Sequence, residues 1–428
     1  MLGTALFLLL VLIALSLPIA AALGVLGVIL DRTYGFLPLY QAVGEVAWTS
    51  SSGFLLMAIP LFVLLGELML RSGVADAMYD ALAKWLGWLP GGVMHANIGA
   101  CALFAATSGS SVATAATIGT VALPQIERHG YEPRLFLGTL AAGGTLGILI
   151  PPSVNMIIYG ILTNSSVPKL YLAGILPGLL LAMLFMAAII TISLIRPGIG
   201  GRRISYSWGE RFRGTVGVVP PILIFVVVIG SIYGGWATPT EAAALGVVGA
   251  LAIAASRGRL SARMLTEAAE ATVVTTSMIM LIIIAAYFLN MILAGIGLTT
   301  KLNSFVAGLG LTPTEMLIAV VIFYIILGCF METLSMMITT IPIIAPLMFS
   351  LGFDPIWYGV MMMILIETAL ITPPIGLNLY VVQGVRGKGP MKDVMIGALP
   401  FVAAMALMVM LLAAFPGLAT WLPAILTD

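Results

Sequence analysis

The two halves of the chain carry the same landmarks in the same order, and this internal repeat limits the possible folds more than any other feature. Ala21-Ala22-Leu23-Gly24-Val25 recurs 222 residues later as Ala243-Ala244-Leu245-Gly246-Val247. Pro151-Pro152 recurs at the same offset as Pro373-Pro374. One offset held over most of the chain indicates a duplicated structural unit.

The composition places this duplicated unit in a membrane. Hydrophobic residues make up 61% of the chain and charged residues only 8%, a balance that an ordinary soluble core cannot accommodate. Apolar stretches near the length of a membrane span recur almost end to end, without the alternation typical of a membrane barrel. We therefore predict an all-α polytopic membrane protein. The net charge of +1 is uninformative about partners, but no basic patch of the kind that nucleic-acid binding needs appears in the sequence.

The few basic residues predict the orientation. The densest cluster lies at 196–213, between the halves, and the positive-inside rule places it in the cytoplasm. Tracing the spans outward from this linker leaves only Arg32, Lys169 and Lys301 outside. Equivalent segments of the two halves then face opposite ways, so the repeat is predicted to be inverted.

This trace also predicts the domain organisation. We expect the hairpins to enter the membrane and turn back on the side from which they came. The N-terminal segment 2–30 fits either one long helix kinked at Pro18 or two short segments. The predicted parts are a first repeat at 1–195 with a re-entrant hairpin at about 93–125, a cytoplasmic linker at 196–213, and a second inverted repeat at 214–428 with a re-entrant hairpin at about 314–350.

Each half breaks its helical pattern at two places within the membrane. One break is the middle of each hairpin, at 107–111 and at 331–335, and the other is the proline pair. Proline removes an amide donor and clashes with the preceding turn, so adjacent prolines unwind a helix and free its carbonyls. Such backbone is tolerated at membrane depth only where it is buried in protein or lines a cavity.

Broken helices can bind a cation and an anion together. Freed carbonyls, hydroxyls and Asn side chains supply the oxygen ligands that Na⁺ prefers, while the restarting half-helix points its amides at an anion. For one break alone, a simple kink or tight helix packing explains the same residues. Two breaks in each inverted half favour a binding site. The candidate substrate- or cation-binding residues are Ser108, Gly109, Ser110, Ser111, Pro151, Ser153, Asn155, Glu332, Thr333, Ser335, Thr372, Pro373, Gly376 and Asn378.

We expect two pseudo-symmetric sodium sites that flank one substrate. The first lies near Ser108, Ser110 and Asn155. The second lies near Glu332, Thr372 and Asn378.

Carboxylates within the spans are the remaining candidates, because charge at membrane depth is costly. Glu332, beside the second hairpin tip, is the strongest. Glu67, Glu241 and Glu367 either serve a site or simply bond to backbone or reach an interface. Since no Lys or Arg falls at the predicted midplane, an anionic substrate must be held by helix N-termini, hydroxyls, amides and bound cations.

At these motifs the chain resembles the large membrane subunit of the tripartite ATP-independent periplasmic (TRAP) transporters. The resemblance runs nearly end to end and is specific as a set. Its motifs are Ala58-Ile59-Pro60-Leu61-Phe62, Gly66-Glu67-Leu68-Met69, Leu89-Pro90-Gly91-Gly92, Ser108-Gly109-Ser110, Ile150-Pro151-Pro152-Ser153, Thr238-Pro239-Thr240-Glu241 and Thr372-Pro373-Pro374-Ile375-Gly376-Leu377-Asn378.

The resemblance implies a multi-pass importer of organic acids in a bacterial inner membrane, driven by sodium symport and not an enzyme. Sodium ions would be coupling ions, and no other cofactor is expected. The family works with a four-helix small membrane subunit, here expected as a separate polypeptide, and with a periplasmic substrate-binding protein. It is thought to move substrate by an elevator mechanism.

Two residues depart from the family pattern. Thr114 stands where the family often has Asp after the first hairpin tip, which removes a charge from that site. Glu332 stands where the family often has Asp, which keeps the charge on a longer side chain.

Other functions predict different behaviour. A stand-alone sodium/carboxylate symporter would take up substrate without a soluble partner, and a passive channel would only follow the substrate gradient. An intramembrane enzyme is disfavoured because the sequence has no His-Glu-x-x-His helix, Gly-x-Asp pair or Ser/Lys dyad at depth.

Overall fold

A computed structural model describes residues 1–15, 17–201, 206–298, 300, 301, 304, 308, 310–328 and 331–427. The regular structure of these residues is helical. The helices are α1 Leu2–Ala14, α2 Ile19–Tyr34, α3 Val43–Ser51, α4 Ala58–Arg71, α5 Val74–Leu86, α6 Met94–Ser108, α7 Ser111–Ala122, α8 Pro124–His129, α9 Pro133–Gly144, α10 Val154–Thr163, α11 Val167–Ile195, α12 Trp208–Gly214, α13 Val219–Tyr233, α14 Pro239–Ser256, α15 Ala262–Gly295, α16 Pro313–Leu327, α17 Thr333–Ser350, α18 Pro355–Ile371, α19 Leu377–Arg386, α20 Met391–Ala414 and α21 Gly417–Thr427.

The helices have the length and composition of membrane spans. In the described part of the chain, six are both long and apolar enough to cross a bilayer, and a seventh span is formed if the bent pair 208–217 and 219–233 counts as one. Shorter apolar helices accompany the chain breaks, α10, α16 and α18 among them. The predicted all-α polytopic membrane fold is confirmed.

Corresponding elements appear in the two halves. The helix pair α6 and α7 meets at Gly109, and α16 is followed after a short segment by α17. The helix pairs α9/α10 and α18/α19 are each interrupted at the repeated proline pair, whose peptide bond is cis in both halves. At the N-terminus, α1 and α2 are two separate helices with Pro18 at the start of α2.

The two halves exchange partners around the breaks. The half-helix α10, which follows the first proline pair, packs against the second-half hairpin helix α17. Its counterpart α19 packs against the first-half hairpin helix α7. This reciprocal packing is what a two-fold relation between the halves produces, and it brings both hairpins and both breaks into one core. The domain boundaries stay a prediction.

A second group of helices packs beside this core. Helix α15 contacts α2 and α4, α4 contacts α14, and α13 packs on α14. The group meets the core where α4 contacts α6 and α10 and where α15 contacts α17. The interface between the two groups therefore runs past both hairpins.

The tightest crossing in the core joins the halves through glycine. Gly138 on α9 and Gly397 on α20 let the two backbones approach so closely that a Cβ on either would overlap the backbone of the other helix. Small residues drive such contacts in membranes because lipid provides no hydrophobic force between helices. An Arg134–Asp393 ion pair with a nitrogen–oxygen distance of 3.1 Å lies at the same crossing.

We predict that Gly397→Ala destabilises the protein, because the added methyl group must push α9 and α20 apart. The expected loss is about 1–3 kcal/mol, as for overpacking in general, and a lower melting temperature in detergent measures it. Gly230→Ala is the matched control, since a Cβ at Gly230 meets nothing within 4 Å. An unchanged melting temperature for Gly397→Ala would contradict the crossing.

Candidate functional site

A cavity of about 170 Å³ lies where the two helix groups meet. Both hairpins and the first proline break contribute to its wall, and α4 and α15 close the opposite side. The lining residues are Val63, Gly66, Glu67, Leu70, Ser108, Gly109, Ser110, Ser111, Val112, Ala113, Ile148, Val154, Asn155, Thr275, Ile279, Glu332, Thr333 and Leu334.

The tip of the first hairpin is a tight turn that presents the N-terminus of α7 to the cavity. Gly109 ends α6 in the left-handed region at φ 59°, a conformation that glycine adopts at little cost. The Ser110 side chain caps α7 by accepting a hydrogen bond from the Ala113 amide at 3.4 Å. A Cβ at Gly66 on α4 would lie 2.9 Å from the Ser108 carbonyl oxygen, so glycine allows α4 to close over the tip.

Thr114, which stands where the family often has Asp, forms a hydrogen bond with a residue of the first hairpin tip. The Thr114 hydroxyl is fully buried and shares a hydrogen bond with the Ser108 hydroxyl, with 2.9 Å between the oxygens. A neutral pair thus occupies the position where the family often has a carboxylate.

The first proline break lies directly behind this tip. Pro151 and Ser153 are buried, and a Cβ on Gly109 would lie 3.1 Å from the Pro152 carbonyl oxygen. The Ser153 side chain caps α10 at the Met156 amide, at 3.5 Å. Asn155 lines the cavity, is only 4% exposed, and its Nδ2 has no hydrogen-bond partner within the described structure. The Asn155 Nδ2 is therefore a buried hydrogen-bond donor that no described protein group satisfies.

The tip of the second hairpin differs in charge. Glu332 caps α17: its carboxylate accepts hydrogen bonds from the Leu334 amide at 3.0 Å, from the Ser335 amide at 2.6 Å and from the Ser335 hydroxyl at 2.5 Å. Thr333 follows it in the cavity wall, whereas Ser335 is buried behind the tip. The carboxylate therefore satisfies the N-terminus of α17 while it lines the cavity.

No described residue of the second proline break, at 372–378, lines the cavity. The Thr372 hydroxyl donates to the Thr368 carbonyl at 2.6 Å, and Pro373 is half-buried. Gly376 starts α19 at φ 57°. Asn378 is fully buried, and its Nδ2 lies 3.2 Å from the position of a Cβ at Gly144. The described contacts do not join Thr372 or Asn378 to Glu332, so the second sodium site stays a prediction in that grouping.

The other three carboxylates have distinct surroundings. Glu67 lines the cavity and forms an ion pair with Arg71. Glu241 belongs to a capping box with Thr238. Glu367 is buried and accepts a hydrogen bond from the Ser111 hydroxyl.

Sequence reasoning missed the wall opposite the tips. Thr275 and Ile279 of α15 and Leu70 of α4 lie in helices without a break, so no local pattern separates them from residues that only pack. For Glu67 a signal existed, because its spacing of four residues from Arg71 allows an ion pair on one helix face.

The electrostatics of the cavity are asymmetric. No Lys or Arg is among its described lining residues. The N-terminus of α7 carries only the neutral cap Ser110, so its amides can still attract an anion. The N-terminus of α17 already holds the Glu332 carboxylate. One end of the cavity thus suits an anion and the other a cation.

Spans, paired hairpins, broken helices and a partly open cavity with polar groups at the interface of two helix groups define a multi-pass membrane transporter. The comparisons assign the family. The model described as "Tripartite ATP-independent periplasmic transporter, DctM component" matches residues 6–418, and the chain belongs to this family. It is the large membrane subunit of a TRAP secondary transporter of the bacterial inner membrane and not an enzyme.

Relatives agree with this assignment, and one solved structure shares the fold. The chain is 33% identical over 436 residues to the C4-dicarboxylate TRAP transporter large permease protein DctM of Vibrio cholerae, covering 96% of this chain and 94% of that protein. It is 37% identical over 382 residues to the protein of the same name from Pseudomonas aeruginosa, covering 88% and 86%. The Alcanivorax borkumensis YdaH transporter shares the fold, with a TM-score of 0.65 at 15% identity over 93% of this chain and 97% of that one.

Two buried asparagines allow a matched test of the site. Asn97 is fully partnered: its Oδ1 accepts from the Tyr79 hydroxyl and its Nδ2 donates to the Thr139 hydroxyl, both at 2.7 Å. We predict that Asn97→Ala lowers the melting temperature, because each buried group left unpaired costs about 1–3 kcal/mol. Uptake per folded molecule should persist.

Asn155→Ala should show the opposite pattern, because Nδ2 has no protein partner to lose. We expect an unchanged melting temperature and a 10- to 100-fold weaker apparent substrate affinity. This loss corresponds to the free energy of about 1.5–3 kcal/mol that a hydrogen bond to a charged group contributes. Thermal melting and initial uptake rates at varied substrate concentration measure both. If the two variants show the same changes in melting temperature and in apparent substrate affinity, Asn155 does not belong to the binding site.

Proposed function

We propose that this chain imports an organic acid across the inner membrane by sodium symport. A periplasmic binding protein delivers the substrate, and a separate small four-helix subunit completes the membrane complex. The observation that carries the proposal is the single cavity that receives both hairpin tips together with the unpartnered Asn155. Large permeases of this family work with both kinds of partner.

The cation side of the proposal rests on oxygen ligands. Ser108 and Ser110 flank Gly109, whose Cβ position lies 3.1 Å from the Pro152 carbonyl oxygen. Their hydroxyls and carbonyls are oxygen ligands of the kind that a small hard cation prefers. At the second tip, the Glu332 carboxylate supplies a negative charge to the same cavity. A sodium ion bound at either tip would add positive charge beside the substrate.

The anion side rests on α7 and Asn155. The first-turn amides of α7 and the free Asn155 Nδ2 can both donate to a carboxylate, and neither needs a basic side chain. The two relatives above are named for C4-dicarboxylates, so these acids are the first class to test here. For a dicarboxylate, the second carboxylate would need a bound cation to offset Glu332.

The position of the cavity supports an elevator mechanism. Its walls come partly from the hairpin-bearing core and partly from α4 and α15. If the core slides along the second group, the tips and the bound substrate move together while α4 and α15 stay in place. Tight glycine packing between α9 and α20 would keep the core rigid during such a movement.

The test is uptake of a labelled C4-dicarboxylate into proteoliposomes that contain this chain and its small subunit. We expect uptake only with an inward sodium gradient and added binding protein. Uptake that survives collapse of the sodium gradient would contradict the coupling. Uptake by this chain without the binding protein would favour the stand-alone symporter.

Glu332→Gln tests the role of the carboxylate in sodium binding. We expect the sodium concentration for half-maximal uptake to rise about tenfold, equivalent to about 1.4 kcal/mol, because a charged ligand becomes neutral. Glu241→Gln is the control, since Glu241 also caps a helix but lies on the exposed surface outside the cavity. A similar change in both variants would assign the effect to helix capping alone.

A further inference from the structure

A carboxyl group lies behind the cavity in surroundings that offer it no counter-charge. Glu367 sits on α18, six residues before Pro373, where the second proline pair begins, and is only 1% exposed. Its Oε1 accepts a hydrogen bond from the Ser111 hydroxyl on the first hairpin. Its Oε2 is buried and has no partner in the described structure. The contact connects the two halves of the chain at a residue that lines the cavity.

Titratable groups are present on the elements that pack against α18, but their described polar contacts are with residues other than Glu367. They lie mostly near helix ends or form a tyrosine group around Tyr358, and no described hydrogen bond or ion pair joins them to Glu367. On α10, α11, α16, α19 and α20 they are Tyr159, Lys169, Tyr171, Glu315, Tyr324, Tyr380, Arg386, Lys392 and Asp393. Helix α17 brings the Glu332 carboxylate at its N-terminus, whose described hydrogen bonds go to Leu334 and Ser335, and the described residues of α21 and of the turn 145–147 include no charged or titratable side chain.

An ionised carboxylate at this position would be an unpaired charge in an apolar interior. Ile364, Leu365, Ile366, Ala369 and Leu370 around it on α18 are all fully buried. The cost of such a charge is far larger than one hydroxyl hydrogen bond can offset, and proteins avoid it by neutralising the group.

A second buried polar group adjoins the same serine. Asn378 is fully buried, and both its Oδ1 and its Nδ2 lack partners in the described structure. The Ser111 carbonyl oxygen and the Asn378 Nδ2 approach one point beside Gly144, at 3.1 Å and 3.2 Å from the position of a Cβ there. Ser111 thus has two buried polar groups in its neighbourhood, the Glu367 carboxyl at its hydroxyl and the Asn378 amide near its carbonyl oxygen. Only the protonated form of a carboxyl can donate.

We propose that Glu367 is a proton-binding site, in which a neutral carboxylic acid holds the tip of the first hairpin to α18. A carboxylic acid kept neutral by an apolar site still accepts the hydrogen bond from the Ser111 hydroxyl at its carbonyl oxygen. The proton site adjoins the cavity through Ser111, which is among the candidate substrate- or cation-binding residues, but it does not depend on sodium coupling. Because Ser111 also lines the cavity, release of the proton would disturb the cavity wall from behind.

Infrared spectroscopy of the full chain in lipid vesicles tests the proposal. At neutral pH we expect a protonated-carboxyl C=O band that moves to lower frequency in D₂O and is absent in Glu367→Gln. Glu332→Gln is the matched control, and this variant should keep the band. Ser111→Ala should shift the band to higher frequency, because the carbonyl loses its hydrogen bond.

The outcomes separate this site from its rivals. Conversion of the band to a carboxylate band on adding sodium would overturn the proposal and make Glu367 a sodium ligand instead. Absence of the band at neutral pH, or its loss in Glu332→Gln, would also overturn it. If Glu367→Gln fails to fold, the Ser111→Ala shift decides alone, and an unshifted band counts against the proposal. None of these results depends on uptake, so they leave the importer function to its own test.

Discussion

The structure depends on one constraint, which is that backbone groups freed at membrane depth must find partners inside the protein. The proline pairs and hairpin turns create such groups in both halves, and lipid cannot satisfy them. The chain solves this by placing the first tip against the first break and by packing each restarted half-helix on the hairpin of the other half. The cavity, with polar groups of both hairpin tips in its wall, is a consequence of this packing.

The two halves satisfy the constraint with different chemistry. At corresponding positions, Ser110 caps α7 and Glu332 caps α17. A serine leaves the positive end of its helix open to an anion, whereas a glutamate occupies that end and leaves negative charge in the wall. One hairpin tip of the duplicated fold thereby attracts an anion, and the other attracts a cation. Because the two tips occupy corresponding positions in the repeat, their different electrostatic preferences come from the side chains and not from the backbone.

Much of the fold could be predicted because the relevant signals are local or periodic. The repeat offset located both breaks, and apolar length located the spans. The first tip, Asn155 and Glu332 also came from local patterns, since polar residues beside Pro and Gly at membrane depth stand out. The placement of Asn378 could not be predicted, because it depends on α19 packing against the opposite half. Thr275 and Ile279 could not be predicted for the same reason, because they join the cavity only through tertiary packing.

Glu367 illustrates why burial and pairing must be considered together. From sequence it was one of three carboxylates near a Gly or Pro, with an interface or a backbone contact as an equally good explanation. The structure separates them, because Glu67 has Arg71, Glu241 has a helix N-terminus, and Glu367 has one hydroxyl. A carboxylate can remain charged beside the first two partners. One hydroxyl does not compensate a full charge in an apolar core, so the requirement for neutrality falls on Glu367 itself.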